Sequence, residues 1–123
     1  MSKSLDTENI IEDATFDFAM GDIDSAVSKL KTALEAAPDS FEAWHALAEI
    51  QYSSEQYDPA LEAAEKAHAL KPDDLLVNTS LSRIWLELGS KEKAEHFGAQ
   101  ARMLGWKEQI QNPDAANEGI STS

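Results

Sequence analysis

The chain of 123 residues contains no cysteine, which excludes disulfides, thiol nucleophiles and zinc–thiolate sites together. Positive charge is scarce. Ten Lys and Arg stand against 23 Asp and Glu, for a net charge of −13 and a pI near 4.4. A surface so negative repels a phosphate backbone and anionic lipid, so neither nucleic acid nor a membrane is an expected partner. No stretch approaches the ~20 consecutive apolar residues that span a bilayer. The first residues, Met1 to Asp6, lack the apolar run of a signal peptide. Ser2 stands where myristoylation requires glycine, and a chain without cysteine takes no prenyl or palmitoyl group. A cytoplasmic protein is therefore expected. What is present suits one folded domain: 42% hydrophobic and 27% charged residues are globular values, and a chain this long can bury roughly two-thirds of its unfolded surface.

The chain repeats itself. Ala26, Ala60 and Ala94 are each 34 residues apart, as are Ala33, Ala67 and Ala101, and Pro38 and Pro72. Trp106 occupies the position of a third proline. Units 7–40, 41–74 and 75–108 align without insertion or deletion. Further columns agree in character: Ile10, Trp44 and Asn78; Ala14, Ala48 and Ser82; Leu30, Ala64 and Gly98. Asn78 is the polar exception in the first of them.

Each unit reads as two helices, A and B. In unit two, Ser40 or Asp39 caps a helix starting at Phe41, with Asp39 and Glu42 at capping-box spacing. Trp44, Leu47, Ala48 and Gln51 then share one helical face. Ser53, Ser54 and Glu55 interrupt the pattern. Asp58 is the expected cap of helix B, with Pro59 in its first turn, and the helix stops at Lys71-Pro72. Gly21 and Gly89 mark the corresponding turns of units one and three, followed by caps Asp22 and Ser90. The alanine columns let paired helices approach closely, while Trp44, Leu47, Leu81 and Trp85 fill the space between hairpins.

These residues resemble the tetratricopeptide repeat, W-x2-L-G-x2-Y, then A-x3-F-x2-A, then proline. Unit two supplies Trp44, Leu47 and Ala48, then Ala60, Ala64, Ala67 and Pro72. Unit one supplies Ala14, Ala26, Leu30, Ala33 and Pro38, and unit three Leu81, Trp85, Gly89, Ala94 and Ala101. The resemblance implies an all-α fold, an α-solenoid of three antiparallel helix pairs in a right-handed superhelix, with the A helices lining a concave groove. It also implies a binding module rather than an enzyme. RNA-binding pentatricopeptide relatives are basic with a longer period, unlike this chain. The domain plan is an N-terminal arm over 1–6, the repeat domain over 7–108, and a stub with a disordered tail over 109–123.

The units differ from one another. Asp13 and Asp17 stand where later units have Leu47 and Gln51, or Leu81 and Trp85, as suits a terminal repeat with no outer neighbour; the other reading is an acidic docking ridge. At the other end, Trp106 and Ile110 are expected to fold back over the last hairpin, or a second chain covers it. Residues 1–40 hold nine acids against three bases, net −6, and 41–74 eight against two, again −6. Residues 75–108 hold four acids against five bases, net +1. Such ends complement each other head to tail.

No catalytic constellation emerges. His45, His68 and His96 stand in no metal-binding spacing, and His45 with Glu49, four residues apart, supplies at most two ligands. There is no nucleophile elbow and no glycine-rich phosphate loop. No cofactor and no metal is expected. The face of helix A beside the core face presents Ile11, Thr15 and Phe18, then His45, Glu49 and Tyr52, then Thr79, Arg83 and Leu86. In the resemblance this is the peptide groove, with Phe18, Tyr52 and Leu86 as an apolar row. The carboxylate clamp of co-chaperone relatives would need basic or amide residues at Ile11, Thr15, Ala46, Leu76 and Ser80, and it is not there. The function expected is a protein–protein interaction adaptor for a peptide or protein segment with apolar anchors and basic residues. The alternatives are self-association through the uncovered third unit, as a homodimer or stack, and an acidic secretion-type chaperone.

Overall fold

The computed structural model describes residues 3–111, and among these it contains six helices and no strand. They are α1 (Lys3–Ala19), α2 (Ile23–Ala36), α3 (Phe41–Ser53), α4 (Tyr57–Leu70), α5 (Leu75–Glu87) and α6 (Lys91–Gln111). Successive pairs pack as hairpins, one per sequence unit, and each hairpin stacks on the next through α2 against α3 and α4 against α5. The result is an α-solenoid. Among the described residues, α1, α3 and α5 also touch one another directly, whereas α2, α4 and α6 do not. The stack is therefore tighter along the A helices, and their side is the concave one.

The turn inside each hairpin is made three times over by the same backbone hydrogen bonds. The N–H groups of Asp22, Gln56 and Ser90 donate to the carbonyls of Asp17, Gln51 and Trp85 at 2.8, 2.8 and 2.9 Å. Those of Gly21, Glu55 and Gly89 donate to Phe18, Tyr52 and Leu86 at 3.0, 3.0 and 3.1 Å. This is the Schellman pattern, which needs a left-handed residue after the helix. Gly21 and Gly89 take φ of +88° and +89°, and Glu55 is forced to +62°. The turn also decides the next cap. Asp22 accepts from Ser25 N–H at 3.2 Å and Ser90 from Lys93 N–H at 3.4 Å. In unit two the same register puts Gln56 at the cap, without a side-chain bond. Asp58 is thus not the cap expected from its type: the fixed turn length carries it into the first turn, beside Pro59. Between hairpins, Ser40 and Asp74 cap α3 and α5, which settles the choice between Ser40 and Asp39.

The alanine columns are buried in all three units, around Leu30, Val77, Leu81 and Ile84. Where unit three departs from the pattern, it compensates. Asn78, fully buried, donates to the Pro72 carbonyl at 3.0 Å, as the indole of its counterpart Trp44 donates to Pro38 at 2.8 Å. Ser82 replaces alanine and donates to the Ala94 carbonyl at 2.7 Å. Its hydroxyl fills the space where a Cβ on Gly98 would come within 3.1 Å. One position gains an oxygen and its neighbour gives up a carbon.

Two boundaries differ from those read in the sequence. Helix α1 begins at Lys3, inside the segment read as an arm. Helix α6 runs unbroken to Gln111, so residues 109–111 are its last turn and no fold-back forms. Trp106 and Ile110 lie exposed on that extension, while Ala101 is buried. The segment 112–123, read as a tail, lies outside the described residues. No helix among the described residues is long and apolar enough to cross a membrane.

Candidate functional site: the concave face of α1, α3 and α5

Positions one full repeat apart become neighbours on adjacent A helices, and this brings Glu49 of α3 beside Arg83 of α5. The guanidinium Nη2 lies 3.1 Å from Oε1 and 3.3 Å from Oε2 of the carboxylate. The Ser80 hydroxyl donates to Glu49 Oε2 at 2.6 Å. His45 Nε2 stands 3.4 Å from Ser80 Oγ and 4.0 Å from Glu49 Oε2. Arg83 also covers the Tyr52 ring, with Cζ 5.1 Å from its centroid. Four groove residues expected from the sequence, His45, Glu49, Tyr52 and Arg83, thus form one polar cluster across two helices. The pair considered as metal ligands, His45 and Glu49, is engaged with Ser80 and Arg83. Among the described residues no group of three or more His, Cys, Asp or Glu side chains is disposed to hold a metal.

The other five sit differently. Ile11 and Phe18 are half-buried and packed against the core, as is Tyr52. Thr15 and Thr79 each return their hydroxyl to the backbone one turn back, to Ile11 at 2.8 Å and Leu75 at 2.9 Å. Leu86 is exposed, at 63%. The apolar row is therefore uneven: two members belong largely to the scaffold and one is free on the surface. Leu76, one turn before Thr79 and Ser80, is also exposed, at 61%. The groove reading omitted it. It also omitted Ser80, which is buried and holds the Glu49 carboxylate in place. A signal for both was available. In a stack with this period, i and i+34 face each other across adjacent A helices, so Glu49 and Arg83 could have been paired directly, with Ser80 one turn before Arg83.

Two further clusters flank this face. Near the start of α3, His45 stacks on Phe41 with centroids 5.8 Å apart, and Lys71 lies 4.6 Å from the Phe41 centroid. In hairpin one, Lys29 meets Asp17 at 2.6 Å and Ser25 donates to the same oxygen at 2.9 Å. The lysine contact, then the serine one, holds the Asp17 carboxyl below its usual range, and Asp17 in turn raises Lys29. Asp17 thus closes its own hairpin. Tyr57, whose ring meets Tyr52 at 5.6 Å, has its phenol pushed up by desolvation and then by the charge of Glu87.

A helical hairpin of this length, repeated in register and stacked with its A helices inward, defines a tetratricopeptide-repeat scaffold. The comparisons agree with that fold: the family model described as Tetratricopeptide repeat matches residues 17–63. No curated protein sequence matches it significantly. Among solved structures, one described as the crystal structure of MamA superposes with a TM-score of 0.80 at 20% identity, over 85% of this chain and 61% of that one. The CopN-Scc3 complex gives 0.76 at 20% identity, over 82% and 59%. An O-GlcNAc transferase from Thermobaculum terrenum, in a mutant form, gives 0.77 at 21% identity, over 85% of this chain but 20% of that chain. The chain thus spans about three-fifths of MamA, and these likenesses speak to the fold alone.

Proposed function

We propose that the protein is a non-enzymatic adaptor that binds a peptide or protein segment on the concave face of α1, α3 and α5. The observation that carries this reading is the pair of exposed leucines, Leu76 and Leu86, on either side of the Arg83–Glu49–Ser80 cluster. Apolar anchors flanking fixed polar groups suit a segment that buries side chains and reads hydrogen bonds at once. The net charge of −13 favours basic residues in the partner, mostly through the rate of encounter. Tetratricopeptide repeats serve generally as protein-binding scaffolds, and one structural neighbour is itself described as a complex. The test is affinity capture from native lysate, comparing the parent chain with Leu76→Asp and Leu86→Asp. Both side chains are exposed, so melting temperature and helicity should stay unchanged while the captured protein is lost. Capture that survives both substitutions refutes the site.

A further inference from the structure

The two junctions between hairpins use register-related residues, yet they are filled differently. At the second, Trp85 of α5 packs under Lys93, whose ammonium lies 4.2 Å from the ring centroid. Phe97 of α6 meets His68 of α4 edge-on at 5.7 Å. At the first junction, 34 residues earlier, the counterparts of Trp85, Phe97 and His68 are Gln51, Ala63 and Leu34. An indole and a phenyl ring have become an amide and a methyl group. A cavity of about 370 Å³ opens there between α2, α3 and α4, walled by Leu34, Trp44, Leu47, Gln51, Pro59 and Ala63. Glu35 and Glu62 stand at its rim with Lys31. Gln51 is buried, and its Oε1 has no hydrogen-bonding partner among the described residues.

The chain carries elsewhere the groups this cavity lacks. Helices α2 and α4 end at Ala36 and Leu70, whose counterpart in α6 is Leu104. Helix α6 continues past that point to Gln111. Along it Met103, Trp106 and Ile110 form one exposed apolar stripe, 62%, 69% and 68% exposed. Arg102 and Lys107 flank the indole, and both are exposed. Exposed apolar residues in one contiguous stripe are costly to leave in water. The charges match as well, since the units around the cavity carry −6 each and the unit bearing α6 carries +1.

We propose that Trp106 of one copy of this chain enters the α2–α3–α4 cavity of a second copy. Met103 and Ile110 pack along the mouth, and Arg102 and Lys107 meet Glu35 and Glu62. The Gln51 amide rotates toward the entering ring, and its unpartnered Oε1 accepts from the indole N–H, a donor that seeks a partner when buried. The contact is heterologous: every copy keeps one free cavity and one free α6 end, so assembly grows as open chains instead of closing as a dimer. The cavity faces α2 and α4, away from the concave cluster, so this reading stands or falls separately from the groove.

Sedimentation velocity of the full chain over a concentration series at low salt tests it. Mass should rise with concentration beyond the dimer and fall back with added salt. Trp106→Ala and Ala63→Phe should each be monomeric, the second because it rebuilds the packing of the second junction. Mixed together they should form heterodimers and stop there, since one retains only the cavity and the other only the indole. Should Ala63→Phe melt early, Glu35→Lys with Glu62→Lys reads the same contact and should weaken association about tenfold. A parent chain that stays monomeric throughout overturns the proposal. So does association lost in Trp106→Ala but kept in Ala63→Phe, which would mean that α6 packs on α6.

Discussion

Glu55→Gly should stabilise the protein. Residues 21, 55 and 89 close the same turn with the same two hydrogen bonds, and all three lie at positive φ. Two are glycine and one is not. A side chain with a Cβ costs about 1–2 kcal/mol in the left-handed region, and the greater freedom of glycine in the unfolded chain returns about 0.5–1 kcal/mol. The net gain is about 0.5–1 kcal/mol. For a domain of this size that is a rise in melting temperature of roughly 2–6 °C. The Glu55 side chain makes no hydrogen bond or ion pair among the described residues, so little is lost with it. The reverse change supplies a control. A Cβ added at Gly21 or Gly89 meets nothing within 4 Å, so Gly21→Ala and Gly89→Ala should cost a similar amount through backbone conformation alone. Urea unfolding followed by far-UV circular dichroism reads all three variants. A lower midpoint for Glu55→Gly, or no loss in Gly89→Ala, refutes the reasoning.

Two further substitutions test other parts of the scaffold. Asn78→Leu keeps a side chain of similar size but removes the buried amide's hydrogen bonds to the Pro72 and Asp74 carbonyls, and should cost about 1–2 kcal/mol in the same assay. Asp17 has its pKa held below 3.8 by Lys29 and Ser25, so the folded state binds fewer protons than the unfolded one. That contribution is complete above the unfolded value and is lost as pH falls through the lower folded value. Unfolding midpoints across an acid series should therefore fall less steeply in Asp17→Asn than in the parent below about pH 4.

The register of the sequence made the backbone legible because a repeat tests itself. An alanine that recurs in all three units marks a close helix contact wherever it stands, and the structure buries every one of them. Helix ends were less legible where one unit broke step with the others. Asp58 has the chemistry of a cap, but the backbone turn before it is set by hydrogen bonds common to all three units, and these place Gln56 there. The end of α6 was hidden for a related reason. Units one and two carry Pro38 and Pro72 just past helix B, whereas unit three has Trp106 in that column, so no proline interrupts α6 before Gln111. On the A-helix face, residue type and register gave His45, Glu49, Tyr52 and Arg83 but neither their pairing nor Ser80, and the state of Phe18, Tyr52 and Leu86 depended on depth against the core. A helical face alone does not encode that depth.

The departures from the repeat fall into separate physical kinds, and they do not carry equal weight for function. Asn78 and the Ser82–Gly98 exchange replace a missing group with an equivalent hydrogen bond or an equivalent volume, so nothing is left over for a partner. Glu55 is tolerated strain in an exposed turn. Gln51 with Ala63 is different, because a cavity remains beside them and a buried amide oxygen has no donor among the described residues. The exposed leucines beside Arg83 are uncompensated in the opposite sense, with apolar surface present and no side chain among the described residues to cover it. In a protein built from one hairpin used three times, self-consistent substitutions maintain the fold. Those that leave a cavity, an orphaned oxygen or an uncovered leucine specify what the fold is to meet.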